Sequence, residues 1–156
     1  MINPQSRVWI YQANQELNND VLQEISAILN QFTTSWTAHN QALKAFFEIK
    51  YKRFIVLVVD ETQAGASGCS IDKSVHLMKE LEQKYNISLL DRFNIAYREG
   101  DTVKSTDRAG FEKLLEQGVV NASTIVFNNM VSTYQDYQSN WETAAAKSWH
   151  NNVFAL

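Results

Sequence analysis

Hydrophobic positions change their period several times along this chain, and each change marks an element. Alternation in RVWIYQA (7–13), rich in β-branched and aromatic residues, predicts a first strand. After the Asn-rich NQELNND, residues Val21, Leu22, Ile25, Ile28, Leu29, Phe32 and Trp36 recur at helical spacing. Asn18 or Asn19 can cap that helix, Asp20 suits its positive end, and TAHNQ ends it. LKAFFEIKYKRFIVLVVDE then predicts two strands, Lys44 to Lys50 and Phe54 to Asp60, joined near Tyr51 to Arg53. The second is apolar at every position but its last, the pattern of a central strand covered by helices.

TQAGASGC has the composition of a loop. The helix after it carries Ile71, Val75, Met78, Leu81 and Tyr85 on one stripe. FNIAYRE (93–99) predicts a strand, Glu99-Gly100-Asp101 a turn, and DTVKS a short returning edge strand. Asp107 opens a short helix with Phe111, Leu114 and Leu115, which Gly118 stops. STIVFNNMV is the last strand. A final helix starts at Ser132, with Gln135 completing a capping box, and buries Tyr134, Tyr137, Trp141, Ala145 and Trp149. The order β-α-β-β-α-β, followed by a hairpin, a helix, a strand and a helix, predicts an α+β fold of ferredoxin-like type. A length of 156 residues, with no linker or repeat, fits one domain over 1–156.

Composition narrows the function. Fourteen Lys and Arg against 17 Asp and Glu give a net charge of −3, which argues against a nucleic-acid partner. One cysteine allows no internal disulfide, so a reducing compartment is expected. The first residues show no signal-peptide pattern, and the longest apolar run, FIVLVV, is far short of the roughly 20 residues that span a bilayer. A cytoplasmic protein without a membrane partner is expected.

The chemistry concentrates in GASGCSIDKS (65–74). Gly68, Lys73 and Ser74 suggest a phosphate-binding loop, but Asp72 stands where the second glycine of that motif should be, and a carboxylate there repels phosphate. FIVLVVDE (54–61) has the shape of a Walker B strand, yet it precedes the loop and no LSGGQ-type signature follows. ATP hydrolysis is therefore not supported. The structural account makes Ser70 an N-cap, Gly65 and Gly68 punctuation, and Cys69 a buried hydrophobe. Against it, Lys73 sits in the first helical turn, where a cation is disfavoured by about 0.3–1 kcal/mol. Ser67, Gly68, Cys69, Ser70 and Lys73, with the open amides of a helix start, would hold a small anionic ligand.

Cys69 before a helix start is also a candidate nucleophile or redox-sensing thiol, although His76 lies two turns away, about 10 Å along the axis. Cys69, Asp72 and His76 make an unusual metal-ligand set that no paired motif supports, so no metal is expected. Trp36 with His39, and Trp149 with His150, are accounted for as packing and helix-end charge.

The segments RVWIYQANQEL, WTAHN, KYKRFIVLVVDE, GASGCSIDKSVH, TIVFNN and SWH resemble a family of short proteins from Bacteroidota bacteria commonly labelled "ABC transporter ATPase". The resemblance spans essentially the whole chain and implies no established activity. The label conflicts with the defective nucleotide motifs above, and no catalytic residue is carried over. The sequence therefore points to a non-enzymatic protein binding a small anionic ligand or a protein partner between Gly65 and Lys73. The rivals are a Cys69-dependent enzyme or redox sensor and an assembly protein that forms homo-oligomers through a sheet edge. No cofactor is indicated by any motif.

Overall fold

A computed structural model describes residues 2–156. The first half consists of β1 (Arg7–Gln12), α1 (Asn19–Ser35), a small hairpin of β2 (Thr37–Ala38) and β3 (Gln41–Ala42), then β4 (Lys44–Lys50), β5 (Phe54–Asp60) and α2 (Gly68–Tyr85). The second half consists of β6 (Ile95–Glu99), β7 (Thr102–Thr106), α3 (Arg108–Glu116), β8 (Ile125–Phe127), α4 (Tyr134–Asn140), β9 (Glu142–Ala144), a 3-10 turn and α5 (His150–Phe154). The fold is mixed α+β with antiparallel sheets.

β5 explains the layering. All seven of its residues are buried because different layers cover its two faces. Ile55, Leu57 and Val59 pack with Ile25 and Leu29 of α1 and Met78 and Leu81 of α2. Phe54, Val56 and Val58 pack instead with Ala96 and Phe127 of a second sheet and Tyr137 of α4. The second sheet's outer face, Ile95, Tyr97 and Val126, meets Phe111 of α3 and Phe154 of α5. The order is helices, sheet, sheet, helices. Each fully buried aliphatic side chain of β5 contributes about 1.5–3 kcal/mol of transfer free energy, so this strand anchors both cores.

Helices cover β5 on one face as expected, whereas its other face meets a second sheet together with α4, and the strand order differs as well. The first sheet runs β1-β5-β4 and the second β7-β6-β8-β9. A ferredoxin-like order would put the fourth strand, β6, beside β1; here β6 pairs with β7 and β8. Its alternation fits that place, with Ile95 and Tyr97 in the outer core and Ala96 in the inner one. The free edge of β1 is taken by backbone beyond β8: Val8 N–H donates to the Ser132 carbonyl at 2.9 Å.

Two helices also differ from expectation. The helix expected from Ser132 through Trp149 stops at Asn140 as α4, and Glu142–Ala144 pair with β8, which would otherwise leave an unpaired edge. Its cap is Thr133 rather than Ser132, with Thr133 Oγ1 accepting the Asp136 N–H at 3.1 Å. On α2 the buried line is Ser70, Ser74, Met78 and Leu81, while Ile71 and Val75 lie half-buried beside it. Serines suit this close contact because their hydroxyls are satisfied locally. Ser74 Oγ donates to the Ile71 carbonyl at 2.7 Å and lies 3.0 Å from the Tyr11 hydroxyl.

Candidate functional site

The start of α2 is closed by its own side chains. Ser67, not Ser70, is the N-cap: its Oγ accepts the Ser70 N–H at 3.1 Å, and Ser70 Oγ accepts the Ser67 N–H at 2.7 Å. Ser70 is 1% exposed, and its carbonyl accepts the Trp36 indole N–H at 2.9 Å. The two hydroxyls expected to hold an anion are thus engaged within the fold. Glu61 adds a carboxylate, its Oε2 accepting the Ala66 N–H at 2.8 Å. That oxygen would lie 3.1 Å from a Cβ at Gly65, so the glycine makes room for it. The loop that resembled a phosphate cradle already carries negative charge.

The remaining predicted residues face outward. Gly68 and Cys69 are exposed, which corrects the expectation of a buried thiol, and their amides are first-turn donors with no intrahelical acceptor. Lys73 is exposed and makes no ion pair among the described residues. Cys69, Lys73, His76, Leu77 and Glu80 join Phe32 of α1 along an open groove of about 560 Å³, with Asp72 at its side. The groove has an apolar floor and charged walls of both signs.

Thiol chemistry lacks its second group here. His76 Nε2 contacts Glu80 Oε1 at 3.0 Å, and the seven-position separation of His76 from Cys69 corresponds to about 10 Å of helical rise. His39 lies in the β2–β3 turn with φ 51°, and His150 is buried, 2.9 Å from Ser148 Oγ through Nδ1. None of the three hydrogen-bonds Cys69 among the described residues. Cys69, Asp72 and His76 also do not converge: no group of three or more His, Cys, Asp or Glu among the described residues is placed to hold a metal ion. The acidic pair Asp60-Glu61 at the end of β5 is structural. Asp60 accepts the Thr62 N–H at 3.0 Å and hydroxyl at 2.7 Å, bonds that hold its carboxyl below the usual range.

A second cluster, not anticipated from the sequence, lies where β4 meets α4. The Tyr137 hydroxyl donates to Glu48 Oε2 at 2.8 Å, and that of Tyr134 to Oε1 at 3.5 Å. Burial first, and Glu48 second, raise both phenols above their ordinary range, so they remain donors. Nearby, Arg98 Nε donates to Glu142 Oε1 at 2.6 Å and Arg98 Nη2 to the Tyr51 hydroxyl at 2.8 Å; the Arg98 guanidinium is kept charged chiefly by that carboxylate. Tyr51 stacks on Trp141 with centroids 6.0 Å apart. The available signal was Glu48 itself, which shares with Phe46 the face of β4 turned toward the second core.

No protein-family model, curated protein or solved structure matches this chain.

Proposed function

We propose that this is a non-enzymatic binding protein, that its recognition surface is the groove between α1 and α2, and that its occupant is an acidic, amphipathic polypeptide segment. The observation that carries the reading is the groove's make-up. Phe32 and Leu77 supply an apolar floor, and Lys73 stands beside it with no carboxylate paired to it among the described residues. An apolar side chain seated on that floor gains about 25 cal/mol for each Å² buried. A carboxylate next to it meets Lys73, the open amides of Gly68 and Cys69, and the positive end of the helix dipole.

A small inorganic anion fits less well. Ser67 and Ser70 are bonded to each other, and Glu61 lies over the preceding turn. An elongated partner satisfies the apolar and charged parts of the groove together. No helix among the described residues is long and apolar enough to cross a membrane, and we place this binding in the cytoplasm.

Panning a random peptide library on the protein and on its Lys73→Glu and Leu77→Asp variants tests the proposal. Enriched peptides should carry an apolar residue with Asp or Glu nearby and bind either variant at least about tenfold more weakly, while Cys69→Ser leaves binding unchanged. Peptides whose binding ignores both substitutions, or that depend on Cys69, would overturn it.

A further inference from the structure

On the opposite side of the first sheet from the groove, Glu48, Tyr134, Tyr137, Gln138, Trp141 and Glu142 line a cavity of about 290 Å³, with exposed Lys50 at its rim. Glu48 is half-buried, yet no basic side chain pairs with it among the described residues: Lys44 goes to Asp60 and Arg98 to Glu142. Among the described residues, its carboxylate is met only by the two phenol hydroxyls of Tyr137 and Tyr134. A carboxylate has about four acceptor positions, so about two remain open. Withdrawing such a charge from water without a counter-charge is unfavourable, and a cation entering the cavity would relieve it.

The walls favour the same sign of ligand. Tyr134 and Tyr137 of α4 and Trp141 at its C-cap follow one another with successive ring centroids 5.7 and 5.1 Å apart. Aromatic faces attract cations and repel anions. Glu142 on the other wall is already balanced by Arg98 and fixed by Tyr51, so Glu48 carries the unmet charge. The volume suits a headgroup with a short stem.

We propose that this cavity binds an organic monocation, an ammonium or guanidinium group whose N–H donors meet the open lone pairs of Glu48 beside the tyrosines of α4. Lys50, a tethered ammonium at the rim, competes with the ligand. The headgroup is carried either by a free amine or by a basic side chain of a partner protein.

The test titrates the full chain, ¹⁵N-labelled at its indoles, with n-butylammonium chloride and with Nα-acetyl-lysine methylamide, against sodium chloride at equal ionic strength. The Trp141 indole N–H, bonded to Asn129 at 2.9 Å, is the reporter. Saturable shifts with a Kd of about 10 mM or tighter are expected with both probes, weakened at least about tenfold by Glu48→Gln and strengthened by Lys50→Ala. Tighter binding of the lysine derivative identifies a partner's side chain as the source, and tighter binding of butylammonium a free amine. Shifts that sodium chloride reproduces, or that persist unchanged in folded Glu48→Gln, overturn the proposal. If Glu48→Gln does not fold, unchanged affinity in Lys50→Ala overturns it.

Discussion

Trp36 Nε1 donates to the Ser70 carbonyl at 2.9 Å, tying the C-terminal end of α1 to the first turn of α2. The indole is 2% exposed and packs on Phe32, with ring centroids 4.9 Å apart. This contact fixes the spacing of the two helices that wall the groove. Trp36→Phe keeps most of the apolar volume but removes the indole donor, leaving the Ser70 carbonyl only its place in the α2 ladder. It should cost about 0.5–1.5 kcal/mol, the net worth of one hydrogen bond, read as a lower urea midpoint with unchanged slope.

The reciprocal Ser67–Ser70 cap makes a second claim. Ser67→Ala should destabilise the protein by about 1 kcal/mol, and Ser67→Gly by only a few tenths, as for other N-caps. If Ser67 served a ligand instead of the helix, thermal unfolding in ligand-free buffer would not distinguish these variants from the parent.

His150 sets an acid limit on stability. Burial lowers its pKa to about 4, its ring is 1% exposed, and Nε2 has no hydrogen-bond partner among the described residues. The unfolded chain, with an ordinary value near 6.5, binds the proton more readily. The contribution is therefore fully present above about pH 6.5, declines as pH falls toward about 4, and levels off below. It amounts to about 3 kcal/mol. His150→Gln should flatten the stability profile across that window in urea titrations at successive pH values.

The β4–β5 turn separates strain from function. Tyr51 and Lys52 have φ of 55° and 57°, values that two-residue hairpin turns usually assign to Asn-Gly. Lys52→Gly should raise stability by about 0.5–1 kcal/mol, since only backbone strain is removed from an exposed position. Tyr51→Asn tolerates the same backbone but loses the stacking on Trp141 and the bonds to Glu142 and Arg98, and should lower stability. Calorimetric midpoints moving in opposite directions would bear this out.

Local signals carried much of the fold. Lys44–Lys50 and Phe54–Asp60 emerge with the bounds their alternation and apolar run indicated, and Asn18 and Asp107 cap their helices. Pairing was not legible. Nothing in FNIAYRE distinguishes a strand beside β1 from one that founds a second sheet, because Ala96 and Tyr97 suit either neighbour. Helical periodicity also ran past Asn140, where tertiary pairing with β8 overrides propensity. At the candidate site, composition found the right helix start but misassigned its cap, since Ser67 and Ser70 are equally good capping residues. Glu61, Phe32 and Glu48 reach their sites through the fold, and no sequence spacing reveals that.

Cys69 lies exposed in the groove, so its alkylation reads groove occupancy directly. With iodoacetamide the free protein should react no faster than cysteine in solution, because no imidazole contacts the thiol among the described residues. A saturating acidic amphipathic peptide should slow the reaction at least about tenfold, and Lys73→Glu should remove the protection. An unprotected thiol with the peptide bound, or a free thiol reacting much faster than cysteine, would contradict the account.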